Sequence, residues 1–425
     1  MKTTTFQHHF ISEDGELRSA AMGKYVYMYT SRPVITVKSK ETTPNVGRIS
    51  VLLGMVLVVT CTTLAFICSP FSPVNQMQVL QHAHVPRSHD SGEAEFGQIA
   101  PAYEPNPKNI LYIFTGRWRY LRINFAYIYR SLRQNGGVLD RVYYVMIQYD
   151  DQTLSKLTEL TDSANKYLGE KVFELKIRNP NEDTTRLPKD VFPQVAYEIL
   201  AEIVKYPERK YFKMDDDIVY IHPGAFRQLI EQQNTSECFL HFANIGGANW
   251  RSSYIHQEMG VFDDKEINPN NLRFEFNPKG NPRCGFKSAE CAQLALRGFL
   301  HHYENKSLDR FQFDGRYPTT ERGRYNINLL LLDVNIINFN AMLDSTPIGN
   351  DYEFWLTQKY SSKVKNPNCI VGGAFVVHFA YSVNEKEIRK QNFAEKFETI
   401  AFNDLVKFLP GEFQNILALN ATSTA

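Results

Sequence analysis

Asp215, Asp216 and Asp217 form an unbroken run of carboxylates within Lys213-Met214-Asp215-Asp216-Asp217-Ile218-Val219-Tyr220. The run follows the apolar pair Tyr211-Phe212 and precedes a second apolar stretch, Ile218 to Ile221. This pattern predicts two strands flanking an acidic turn. Three like charges at a strand end repel one another unless a positive charge sits among them. Hard divalent cations take carboxylate oxygens, so a cation carrying a phosphate-bearing ligand suits the cluster. Asp215 and Asp217, two apart, converge on one ion if the backbone turns there, and Asp216 then faces the core or caps the next segment. A polar turn whose side chains cap backbone amides is the alternative. An EF-hand is excluded, because its loop would need an oxygen side chain at Val219, glycine at Tyr220 and glutamate at Phe226.

The elements that must hold these carboxylates read as alternating strand and helix. Asn109 to Thr115 is an apolar strand ending in Gly116. Tyr120 to Gln134 has helical spacing, with Leu121, Phe125, Ile128 and Leu132 on one face, and Asn135-Gly136-Gly137 stops it. A strand over Arg141 to Ile147, a helix over Thr153 to Leu168, a strand over Lys171 to Ile177 and a helix over Phe192 to Lys205 lead to the aspartates. Such alternation predicts an α/β fold with a mostly parallel sheet covered on both faces. Ligands of such sheets bind at the carboxyl ends of the strands, where both the aspartates and Thr115-Gly116-Arg117 are expected. Farther on, Asn268 to Gly285 reads as a long loop. Asn326 to Phe339 reads as one or two strands, and Glu385 to Leu409 as a helical region closed by Pro410-Gly411.

Upstream, Ile49 to Cys68 carries no charged residue, and about 20 apolar residues suit one helical crossing of a bilayer. Lys38, Lys40 and Arg48 precede it and only Arg87 follows at comparable distance, which predicts a cytoplasmic N-terminus and a luminal C-terminal bulk. Residues 1–48 are then a cytoplasmic tail, 49–68 a signal anchor, 69–106 a proline-containing luminal stem and 107–425 the folded domain. The acceptor patterns at Asn234, Asn305 and Asn420 all lie beyond the span, as do Cys238, Cys284, Cys291 and Cys369, enough for two disulfides in an oxidising compartment. A net charge of +1 argues against nucleic-acid binding. His82, His84 and His89 read as part of a solvated linker, since nothing nearby completes a metal site.

A strand, Asp-x-Asp and a further apolar run, on a domain set behind an anchor and a stem, resembles the GT-A glycosyltransferases of the Golgi. The resemblance covers roughly residues 108 to 380. It implies a Rossmann-like sheet flanked by helices behind one transmembrane helix, in a single-pass type II protein of the Golgi or endoplasmic reticulum membrane. It implies that Asp215 and Asp217 ligate a divalent ion, usually manganese, that bridges the diphosphate of a nucleotide-sugar. By the same resemblance, Gly246-Gly247-Ala248-Asn249-Trp250 is the glycine loop that approaches the donor, with Trp250 stacking on a sugar face. Gly349-Asn350-Asp351-Tyr352-Glu353 is similar to the family's acidic motif but has Asn where Glu is usual. Asp351 would be the general base, with Glu353 the alternative base and a helix N-cap the alternative role for Asp351. His378, in Val376-Val377-His378-Phe379, would be a third metal or diphosphate ligand, its rival reading being a core histidine.

Thr115, Gly116, Arg117 and Asp216 fall where the family holds its donor, an ordinary solvent-exposed arginine being the rival reading of Arg117; Trp250 is assigned to the acceptor, and Trp355 either lines an acceptor groove or packs in the core. The function implied is metal-dependent transfer of a sugar, most simply from a uridine diphosphate donor with guanosine diphosphate as the other candidate. The acceptor would be a hydroxyl of a glycan, glycoprotein or glycolipid. A non-catalytic luminal carbohydrate-binding or scaffolding protein on the same fold is the alternative. A two-metal phosphodiesterase fits less well, because the eleven histidines are dispersed.

Overall fold

The structure, a computed structural model, describes residues 107–147, 149–178, 192–274, 284, 288–319, 327–332, 334, 356–357, 366–381 and 383–417, with two short strands at 9–11 and 17–19. The expected anchor, the stem, Asp351, Glu353 and Trp355 lie outside the described residues. Among those described, no helix is long and apolar enough to cross a membrane. The chain divides into two units, Met1–Pro73 and Val74–Ala425. In the first, β1 (His9–Ile11) pairs antiparallel with β2 (Leu17–Ser19).

In the second unit, β3 (Asn109–Thr115) is apolar from Ile110 to Phe114 because both of its faces are covered. Leu111 and Ile113 join one core cluster, with α1 (Trp118–Arg130) and α2 (Asp151–Leu168). Ile110 and Tyr112 join a second cluster, with α3 (Phe192–Ile203). Each large side chain fully buried this way contributes about 1.5–3 kcal/mol. Helix α2 starts where the Asp150 carboxylate accepts the Thr153 amide at 2.6 Å, and stops at Gly169 with φ +71°.

The strands β4 (Arg141–Met146), β5 (Phe173–Ile177) and β6 (Lys210–Asp215) complete a parallel half-sheet with β3. The chain continues through β7 (Ile218–Ile221), α4 (Ala225–Asn234), β8 (Leu240–Gly247), α5 (Trp250–Glu258), α6 (Ala289–Glu304), β9 (Arg316–Thr319), β10 (Leu329–Leu332) and β11 (Asn368–His378). It then forms α7 (Glu385–Arg389), α8 (Phe393–Leu405) and α9 (Gly411–Leu417). The nine-stranded sheet runs β5-β4-β3-β6-β10-β8-β11-β7, with β9 on the earlier part of β11.

The expectation of a mostly parallel sheet is corrected. Four of its pairings are parallel and four antiparallel among the described residues. Strand–helix alternation holds only as far as β6. The chain then bends at Asp216-Asp217, so β7 pairs with β11 instead of β6, and the leucine run of β10 enters against its neighbours. Because β10 opposes both β6 and β8, those two strands point the same way, as do β3 and β11. The carboxyl ends of β3, β6, β8 and β11 therefore share one edge of the sheet.

Cys238 and Cys369, near the starts of β8 and β11, are joined in a disulfide with their Cα atoms 5.9 Å apart. Cys284 and Cys291 form the second disulfide.

Candidate metal centre

The acidic run occupies the sharp turn between β6 and β7. Its backbone is pinned from two sides: the buried Asn124 amide donates to the Asp216 carbonyl at 2.7 Å, and the Phe379 N–H donates to the Asp217 carbonyl at 2.9 Å. The three carboxylates then diverge. Asp216 turns to the end of β3, where it accepts the backbone N–H groups of Gly116 (3.2 Å) and Arg117 (3.1 Å) and the Arg117 guanidinium, Nε to Oδ1 at 3.0 Å. Those donors make it a structural acceptor that anchors the β3–α1 junction.

Asp217 is buried and faces two cationic or ligating groups. Its Oδ1 lies 3.3 Å from His378 Nε2, and its Oδ2 lies 2.9 Å from Arg117 Nη2. His378 Nδ1 lies 2.8 Å from the Ala248 carbonyl oxygen. A carbonyl only accepts, so Nδ1 carries the hydrogen; Nε2 donates to Asp217 when the ring is protonated and has a lone pair to offer an ion when it is neutral. Orientation of a ligand histidine by a backbone carbonyl is how metal sites fix the tautomer. Burial disfavours charge on Asp217, yet Arg117 and then His378 outweigh it and hold its pKa well below the usual carboxylate range. Burial likewise opposes the imidazolium, but Asp217 raises the His378 pKa above its ordinary value.

Asp215 is partly exposed, and both its oxygens are engaged. The Lys213 ammonium bonds Oδ1, and Asn328 Nδ2 donates to Oδ2 at 2.9 Å. Asn328 precedes β10 and stands beside Asp215 because Leu329 registers with Met214. The Asn249 amide donates to Asn328 Oδ1 at 3.2 Å, while Asn249 Oδ1 caps α5 by accepting the Ser252 N–H at 3.1 Å.

One ligand atom from each of Asp215, Asp217 and His378 lies within 4.8 Å of the others. Two carboxylates and an imidazole with a fixed tautomer suit a divalent cation that accepts mixed oxygen and nitrogen ligands. Their neighbours complete the fit: Thr115 Oγ1 is buried at the same sheet edge with no hydrogen-bond partner among the described residues.

The remaining expected residues fall as follows. Gly116 presents its amide to Asp216, and Arg117, expected at a donor, is turned to Asp216, Asp217 and Glu385. Gly246 and Gly247 have packing reasons to be glycine. A Cβ on Gly246 would stand 2.9 Å from the Phe375 ring, and Gly247 has φ +73°. Trp250 opens α5 half-buried, with the Arg251 guanidinium 4.5 Å from its ring centroid. It lines a small cleft with Ala248, Asn249, Ser288, Cys291 and Tyr381. The Tyr381 ring lies 5.2 Å from that of His378, so the cleft adjoins the carboxylates. A wider depression at α7 and α8, lined by Lys386, Arg389 and Lys390, brings charge but no group that does chemistry.

Sequence reasoning missed Lys213, Asn328 and Glu385. Lys213 had a signal, a charge inside an otherwise apolar strand. Asn328 and Glu385 had none, since only the fold brings them near the turn.

The site defines an α/β protein with a two-aspartate, one-histidine candidate cation centre at the edge of a mixed sheet. No protein-family model matches the chain, and no curated protein matches it. Among solved structures, that of S. aureus TarS 1-349 is similar over 73% of this chain and 70% of that one, with 10% identity and a TM-score of 0.34. That of GalNAc-T7 with UDP, GalNAc and Mn2+ is similar over 73% and 55%, with 9% identity and a TM-score of 0.35.

Proposed function

We propose that the domain is a divalent-cation-dependent glycosyltransferase that moves a sugar from a nucleotide-sugar to a hydroxyl of a glycan, glycoprotein or glycolipid. The observation that carries this reading is the convergence of Asp215, Asp217 and His378 at the carboxyl edge of the strands. Asp215, Asp217 and His378 Nε2 would hold the ion, manganese being the first candidate. When bound, the ion supplies Lewis-acid stabilisation of the charge growing on a departing diphosphate.

The chain's own residues do the rest. Ala248 fixes the histidine tautomer, and Arg117 holds Asp217 from the side opposite His378. Trp250 and Tyr381 offer aromatic surface beside the site, suited to a sugar face. Asp351, or Glu353, is assigned to deprotonating the acceptor hydroxyl, and Trp355 to the acceptor groove. A uridine diphosphate donor is favoured over guanosine diphosphate. A luminal Golgi location behind the 49–68 anchor belongs to the same proposal, supported by the charge bias around that segment and by the two disulfides.

One observation favours the alternative of a non-catalytic carbohydrate-binding protein. Lys213 and Arg117 already compensate Asp215 and Asp217, so the turn is stable without an ion. Thermal unfolding with uridine or guanosine diphosphate, with and without Mn2+, separates the two. A Mn2+-dependent rise with one nucleotide supports the transferase, and [L] a hundredfold above Kd raises stability by about 2.7 kcal/mol. Folded protein that responds to neither nucleotide moves the reading to the non-catalytic one.

A further inference from the structure

Lys213 is a lysine in the middle of a covered sheet, with 1% of its surface exposed. Lysine is almost never buried to this degree without a partner. Alternation along β6 puts it on the same face as Tyr211 and Asp215. Its Nζ donates to the Ile327 carbonyl oxygen at 2.6 Å and to the carboxylate of Asp215. That carboxylate is one of the three candidate ion ligands. The buried charge is thus spent on the very group that a divalent ion would need.

Asp215, Asp216 and Asp217 with Lys213 and Arg117 leave the cluster one net negative charge while His378 is neutral. A divalent ion entering alone reverses the sign of the cluster and meets a fixed ammonium at Asp215. An ion arriving with a diphosphate brings negative charge that offsets both its own charge and that of the ammonium at Asp215. Without the lysine the cluster carries two negative charges, which match a divalent ion directly.

Resting on the reading of this centre as a cation–diphosphate site, we propose that Lys213 is an electrostatic gate. It keeps the bare ion weakly bound and makes tight binding depend on an anionic co-ligand of the nucleoside diphosphate class. The lysine acts through Asp215 and touches no substrate, so it is a positioning residue. Coupling of this kind is reciprocal: the ion strengthens nucleotide binding by the same factor.

The test uses the full-length chain in detergent and follows free Mn2+ by electron paramagnetic resonance, with and without uridine diphosphate. Lys213→Gln keeps a donor toward Ile327 and removes the charge; Lys213→Arg keeps the charge. Expected is that Lys213→Gln binds bare Mn2+ about tenfold more tightly than the parent, a change of the size a neighbouring charge produces. The gain from adding uridine diphosphate shrinks by a similar factor, and Lys213→Arg behaves as the parent. Should Lys213→Gln bind bare Mn2+ no more tightly while the ion and nucleotide still bind together, the gate is overturned and the transferase reading stands. Absence of Mn2+ binding in every form, with or without nucleotide, overturns both. If Lys213→Gln does not fold, the parent decides: bare-ion affinity within twofold of that with nucleotide excludes a gate.

Discussion

Gly247 lies against the carbonyl of His378 so closely that a Cβ on it would stand 2.3 Å from that oxygen. The next residue, Ala248, closes the contact in both directions. Its N–H donates to the His378 carbonyl at 2.9 Å, and its own carbonyl accepts from the His378 ring at 2.8 Å. The ends of β8 and β11 can approach this far only because position 247 lacks a side chain and adopts φ +73°. Gly247→Ala is therefore expected to cost more than about 1 kcal/mol of stability and to carry the imidazole away from Asp217. Chemical denaturation and Mn2+ titration of the same variant check both parts; unchanged ion binding would remove Gly247 from the site's construction.

The adjacent carboxylates at 216 and 217 should separate by phenotype. Asp216→Ala strands two backbone N–H groups and part of the Arg117 guanidinium, an expected loss of about 2–4 kcal/mol. Asp217→Asn keeps its volume, and the Phe379 N–H still finds the backbone carbonyl. It should lose the Mn2+ response with a smaller loss of stability. Unfolding curves of the two variants with and without Mn2+ and nucleotide test this, and an intact Mn2+ response in Asp217→Asn would rule out the ligand role.

Cys238–Cys369 closes a separation of 131 residues, against 7 for Cys284–Cys291. Loop-closure entropy makes the long bridge worth about 2–3 kcal/mol more than the short one. Replacing each pair by alanine and comparing denaturant midpoints should rank them in that order. Equal losses would mean that native contacts already hold the starts of β8 and β11 together.

His256 is fully buried among Phe262, Phe311 and Phe375, with Nε2 2.8 Å from Asn244 Oδ1. The Asn244 amide donates to the carbonyls of Phe311 and Gly372, so Oδ1 is the accepting end and Nε2 carries the hydrogen. Burial pushes the His256 pKa down to about 3. An unfolded chain binds this proton below about pH 6.5, whereas the folded chain refuses it until far lower. The stability this residue contributes is thus complete above that pH and declines as the pH falls, by about 1.4 kcal/mol per unit. Between pH 7.5 and 5.0 the parent should lose about 2 kcal/mol more than His256→Gln. Parallel pH profiles for the two would show that the ring is protonated inside the fold.

The parallel half of the sheet was legible because its strands are short, mainly apolar runs that alternate with helical periods. Asn109–Thr115 is found with the expected bounds, and the helix ending at Leu168 differs only at its start. The acidic turn was legible from charge density alone. The far half was not. Leu329–Leu332 looks like any buried strand, and nothing local says that it runs antiparallel between β6 and β8. Residues near the turn through that pairing, such as Asn328, were invisible for the same reason. The partners of Arg117 were not legible either, because an arginine after a strand says nothing of whether it meets the chain's own Asp216, Asp217 and Glu385.

The late position of β10 also governs the order in which the molecule can be made. The edges it covers belong to strands that are both finished by Gly247, yet β10 itself is not synthesised until Leu329. A nascent chain leaving the ribosome therefore holds the edges of β6 and β8 that β10 will cover open across some eighty residues of further growth, and the edges that β11 will cover for longer still. Open edges recruit other strands, so this interval is where chaperone capture or misassembly should concentrate. Products cut short within it would be sticky and would also lack His378, which arrives later still. The cluster of Asp215, Asp217 and His378 is thus completed only when β11 has been made, with α7, α8 and α9 still to follow.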